Sequence, residues 1–189
     1  MNIFLTASFA DVADLFVAFT QGECSGKRVT LIPTACLAEE VNAYLIAAKD
    51  ALVEAGLVID ELEVSTASRQ AIAGKLERND YIYVAGGNTF FDALTPHGES
   101  AGSAVLAPSI EYLQRLDDPS AAPDLDDYTS LALIDFYPLP HYRNAPFDEA
   151  VEQVLIEYGG SLDLRPFSNH QALAIVGNSV DILTSAKPL

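Results

Sequence analysis

The chain has 189 residues, half of them apolar and 20% charged, which suits one globular domain spanning 1–189 with a full buried core. Its 27 acidic and 10 basic residues leave a net charge of −17, and a surface this negative excludes nucleic acid and anionic membranes as natural partners. Cys24 and Cys36 have neither metal-ligand nor CxxC spacing, and they fit the reduced thiols of a cytoplasmic protein. The opening MNIFLTASFADVADLF lacks a basic leader, and no apolar run reaches membrane-spanning length.

The elements alternate along the chain. Residues 2–8 read as a buried strand, and 10–20 as a helix with Val12, Leu15, Phe16 and Phe19 on one side. Residues 27–33 form a second strand. A long helical pattern over 37–55 follows, carrying Val41, Leu45, Ala48 and Leu52 and stopping at Gly56. Strands are predicted at 57–64 and 80–87, with a helix at 67–78 between them. Strand, helix, strand in this order predicts an α/β fold, its sheet mostly parallel and flanked by helices on both faces. Sites in such sheets form at the carboxyl ends of strands.

The second half is less regular. A helix is predicted at 104–114 and a Pro-rich acidic loop at 117–128. A buried strand follows at 130–139, a helix at 147–158 closed by Gly159-Gly160, and a C-terminal β-hairpin at 172–184 turning at Gly177-Asn178.

Three segments carry the chemistry. Gly98 to Gly102 reads GESAG, the pattern of a nucleophile elbow, in which small flanking residues let a serine sit on a sharp strained turn. The alternative for Ser100 is a helix cap in a Gly-rich start. Pro140-His141-Tyr142 follows a strand, where a histidine can take the proton of an attacking hydroxyl. His97 is too close in sequence to reach back comfortably, and His170 precedes a strand and can anchor a loop. In AGGNTF, Ala85 to Phe90, Asn88 can cap the next helix, and the backbone N–H groups could form an oxyanion hole or simply reverse the chain.

Together, GGNTF, the G-x-SAG elbow, A-P-S-I and a strand ending in PHY resemble the peptidase E (aspartyl dipeptidase) family of serine peptidases, in order along almost the whole chain. The resemblance implies a class I glutamine amidotransferase-like (flavodoxin-like) fold and a dipeptidase-like hydrolase that needs no metal or organic cofactor. It implies Ser100 as nucleophile and His141 as general base. The backbone N–H groups of Gly87 and Ala101 become oxyanion donors, and Asp117 or Asp118 the acid that orients the histidine. Asn88 and Arg143 are the candidates for contacting a small peptide substrate.

Departures from the family are also legible. Nine residues separate Phe90 from Ser100 where the family has a helix and a strand. The family's T-T-N-D segment gives way to EYLQRLDDP, and its G-E-T-R segment, which holds an acidic substrate side chain, is absent. The short connection opens a second expectation, a catalytically inactive binding or interaction protein. A homodimer fits either expectation.

Overall fold

The computed structural model describes residues 2–38, 43–90, 100–125 and 127–186. It is an α/β structure. One three-stranded sheet is parallel. Its central strand β2 (Arg28–Ile32) lies between β3 (Val58–Glu61) and β4 (Tyr81–Val84). β2 suits a central position because Val29 to Ile32 are all buried, apolar or β-branched, with both faces covered.

Helix α1 (Phe9–Phe19) and helix α2 (Ala43–Glu54) cover one face. Phe9 and Phe16 of α1 stand edge-on to Tyr83 and Tyr81, with centroids 5.2 and 5.6 Å apart. α2 closes as the glycine pattern predicts. Gly56 takes a φ of 86°, and the N–H groups of Leu57 and Gly56 bond back to Leu52 and Val53.

Helix α3 (Arg69–Arg78) lies on the opposite face, capped by Ser68, whose side chain accepts from the Ala71 N–H. It is tied to β3 through Asp60, which pairs with Lys75 at 2.5 Å and Arg78 at 2.7 Å. The hydrogen bond from Lys75, then those from Asn79 and Arg78, holds the Asp60 carboxyl well below the usual carboxylate range.

A second sheet is antiparallel and joins β1 (Asn2–Thr6), β7 (Gln171–Val176) and β8 (Ser179–Thr184). β7 and β8 are linked through Gly177-Asn178, Gly177 lying at a φ of 61°. Phe16 of α1 also packs on Phe4 of β1 at 5.7 Å, so one aromatic helix face touches both sheets. The third sheet pairs β5 (Tyr137–Leu139) with β6 (Leu164–Pro166) in parallel. A short helix α4 (Ala101–Ala104) follows Ser100, and α5 (Asp148–Tyr158) buries Val151 and Val154 against Leu139 and Tyr112.

Several expectations change. The sheet content is only partly parallel, because β1 pairs with the returning strand β7. The long helix breaks into a 3₁₀ turn, Thr34–Ala38, and α2, while residues 39–42, Val41 among them, lie outside the described residues. The helix expected over 104–114 is instead α4 plus a 3₁₀ turn, Glu111–Leu113. Pro108 has no N–H to continue a helix, and the Ile110 N–H is taken by the Tyr128 carbonyl.

The apolar run at 130–139 is a strand only over Tyr137–Leu139. The N–H groups of residues 131–134 bond to the carbonyls of Val105, Ala107 and Leu106 at the end of α4, with Ala132 at a φ of 48°. β6 is short and contains Arg165 and Pro166, and its pattern predicts no strand.

Candidate active site

The site forms where β1, β4 and β5 end. Ser100 stands at a φ of 49° and ψ of −92°, an unusual backbone state for a residue with a Cβ. Such states cost about 1–3 kcal/mol and persist only where surrounding bonds enforce them. Here the Ser100 N–H donates to the Thr6 carbonyl at the end of β1 at 3.0 Å. The hydroxyl of buried Ser103 donates to the same carbonyl at 3.1 Å. The Ser100 carbonyl accepts from the N–H groups of Ser103 and Ala104, which starts α4. The turn that aims the Ser100 side chain is therefore anchored on both sides.

His141 follows β5 at a φ of 63°. Its Nε2 lies 2.7 Å from Ser100 Oγ, and its Nδ1 lies 2.8 Å from Asn169 Oδ1. With Asn169 Oδ1 accepting from Nδ1–H, Nε2 is the ring atom left to accept from the serine hydroxyl. The ring stacks on Phe147, with centroids 4.6 Å apart and planes 24° apart. Burial lowers the pKa of His141 below the ordinary value of 6.5, and the Asn169 hydrogen bond opposes that shift.

Asn169 is itself held. Its N–H donates to Asn144 Oδ1 at 2.9 Å, while Tyr142 N–H bonds Phe167 O and Phe167 N–H bonds Leu139 O. The segment after β5 is thus clamped to the segment after β6.

Asn169 is the residue that the sequence reading overlooked and the expected acid is the correction. Asp117 Oδ2 accepts from the N–H of Thr89 at 3.0 Å and from the Thr89 hydroxyl. Asp118 accepts from the N–H and hydroxyl of Ser120, each at 2.8 Å, and so caps the 3₁₀ turn Pro119–Ala121. Asp117 is thus engaged by the turn after β4 and Asp118 by its own loop, and the acceptor for His141 Nδ1–H is the amide oxygen of Asn169. An asparagine can orient an imidazole as a carboxylate does, without the charge. The signal was its place in S-N-H-Q, between two strands, beside a histidine that drew attention instead. An Asn169→Asp exchange should raise the pKa of His141, because a carboxylate favours the imidazolium. NMR titration of the ring would read this, and an unmoved pKa would show that residue 169 does not govern the imidazole.

The β4 exit forms another wall. Gly86 O accepts from Tyr44 OH at 3.3 Å and from Cys36 Sγ at 3.1 Å. Gly87 adopts a φ of 146° directly over the Ala35 carbonyl. Asn88 braces the turn, its Oδ1 accepting from the Phe90 N–H and its Nδ2 donating to the Asp118 carbonyl.

A cavity of about 300 Å³ brings together Ser100, Ala101, His141, Asn169, Gly87 and Asp117. That lies at the small end of ligand cavities, roughly 300–1,000 Å³. Arg143 lies elsewhere: it is exposed, its guanidinium sits 5.0 Å from the Tyr142 ring centroid, and it lines an open hollow with Arg115, Asp148 and Glu149. His97, Gly98 and Glu99 lie outside the described residues. Among the described residues no group of three His, Cys, Asp or Glu side chains could hold a metal ion, and no helix is long and apolar enough to cross a membrane.

This geometry can be set beside known proteins. The model of peptidase family S51 matches residues 3–95 and 92–183. The chain belongs to peptidase family S51, the peptidase E family. An uncharacterized peptidase of Listeria monocytogenes serovar 1/2a is 43% identical over 198 residues, covering 95% of this chain and 96% of the relative. An uncharacterized peptidase of Pasteurella multocida (strain Pm70) is 43% identical over 201 residues, covering 96% of each. A 1.5 Å crystal structure of a Listeria monocytogenes EGD-e protein, provisionally assigned to peptidase E, superposes with a TM-score of 0.90 at 39% identity and covers 98% of both chains. This S51 chain is accordingly a peptidase. The family match divides at residues 92–95, within the short connection between Phe90 and Ser100.

Proposed function

We propose that this S51 peptidase is a serine-type, dipeptidase-like hydrolase in which Ser100 is the nucleophile and His141 the general base. The observation that carries the reading is the relay Ser100 Oγ, His141 Nε2, His141 Nδ1, Asn169 Oδ1, with links of 2.7 and 2.8 Å. Nε2 takes the hydroxyl proton as Oγ attacks a peptide carbonyl. The N–H groups of Gly87 and Ala101, both on the cavity wall, meet the oxyanion. His141 returns its proton to the leaving amine, and water then releases the acyl group from Ser100. The reading brings with it a single amidotransferase-like domain, a small peptide substrate taken from the cytoplasm, and chemistry done by side chains without a cofactor.

Labelling with a fluorophosphonate tests it. Wild type should be modified at Ser100, found by peptide mapping, and His141→Ala should be labelled far more slowly. Folded wild type that stays unlabelled would sink the reading and favour the noncatalytic binding protein, for which the divided family match is the supporting observation.

The pH dependence follows from the same bond. The base works only when neutral, and burial lowers the pKa of His141. Labelling should therefore persist as pH falls through the ordinary histidine value of 6.5 and decline only below it. An acid limb above that value would contradict the assignment.

A further inference from the structure

The cavity in front of Ser100 carries a charge pattern of its own. Asp117 lines it, half-buried, and the two Thr89 donors hold its carboxylate in place. Among the described residues lining the cavity there is no lysine or arginine, and Arg143 faces the separate hollow. Leu113, Leu116 and Phe147 supply apolar wall. In so small a cavity every part of a bound residue lies within Coulomb reach of the carboxylate. An entering carboxylate would lose water, meet no lysine or arginine among the described lining residues, and face the like charge of Asp117. The protein's net charge of −17 acts in the same direction from farther away.

We propose that Asp117 sets the charge specificity of this site: the cavity accepts a peptide whose acyl residue has an uncharged side chain and rejects one with an acidic side chain. The inference rests on the reading of Ser100 as nucleophile, which places the acyl residue of the peptide in this cavity. It departs from the acidic preference that the aspartyl dipeptidase resemblance implies. Asp117 acts here as a specificity residue, with no part in proton transfer.

The test uses two dipeptides of the same shape, Asn-Leu and Asp-Leu, titrated calorimetrically into Ser100→Ala protein so that no turnover occurs. Asn-Leu should bind at least about tenfold more tightly. Adding Asp117→Asn should bring the two within about threefold. Asp118→Asn changes the net charge equally, at an exposed side chain that caps the Ser120 turn, and should leave the preference intact. The first comparison needs no substitution at 117, so it decides even if Asp117→Asn fails to fold. Equal or tighter binding of Asp-Leu overturns the inference, as does a preference that survives Asp117→Asn. Failure of both dipeptides to bind, in a protein whose wild type is labelled at Ser100, overturns the inference alone. Absence of labelling overturns the nucleophile reading instead.

Discussion

Replacing Ser100 with alanine should lower kcat on any peptide substrate by at least about 10⁴-fold, and His141→Ala should cost nearly as much. The double variant should be little worse than either single one. The two side chains share one proton and one hydrogen bond, 2.7 Å long, so neither retains most of its effect without the other. Hydrolysis of dipeptides by the two single variants and the double variant checks this. A double variant slower than each single one by a further 10³-fold would mean that the residues act independently, and would contradict the relay.

Folding should survive Ser100→Ala. The anchor of the elbow is the bond from the Ser100 N–H to the Thr6 carbonyl, which alanine keeps. Ser100 Oγ is not what holds its strained backbone. An unchanged melting temperature alongside lost activity would separate chemistry from stability.

Gly87→Ala should destabilise the fold by about 3 kcal/mol or more, adding backbone strain to overpacking. At a φ of 146° an L side chain is strained, and the added Cβ would overlap the carbonyl carbon and oxygen of Ala35, which are backbone atoms without a rotamer to yield. Any relief must move the β4 exit away from the 3₁₀ turn Thr34–Ala38, and with it the Gly87 N–H on the cavity wall. Activity should therefore fall along with stability.

Gly177→Ala is the control. Its φ of 61° is left-handed, yet nothing lies within 4 Å of the added Cβ, so only local strain of about 1–2 kcal/mol remains. Urea midpoints for the two variants would check the comparison, and equal losses would show that the contact with Ala35 is not what constrains Gly87.

The legible part of this protein was local. Alternating apolar runs gave β1 to β4, α1 and α3 within a few residues, and α2 at its C-terminal end, because a buried strand and an amphipathic helix each impress a period on the chain. Gly56 and Gly177 marked real chain reversals through their backbone freedom. Ser100 and His141 were legible because a strained elbow and a histidine after a strand are short-range patterns, and the structure places them within a hydrogen bond. Residues 131–134 depart from the predicted strand for the opposite reason. Their composition suits a strand, but their N–H groups are taken by the carbonyls of Val105, Leu106 and Ala107 just past α4.

By itself, the sequence determined the family, the order of most elements, the negative charge and the two residues proposed to do the chemistry. All of these are properties of composition, period or short motifs. Only the tertiary structure decided what stands behind His141. The family resemblance pointed to Asp117 or Asp118, but the turn after β4 and a 3₁₀ cap engage their oxygens. Asn169, 28 positions beyond His141, arrives at Nδ1 because β5 and β6 pair in parallel and end together. Arg143, left-handed like His141, lies out at the surface in a separate hollow. Which polar group meets an imidazole is set by where strands end in space, and spacing along the chain carries no record of that.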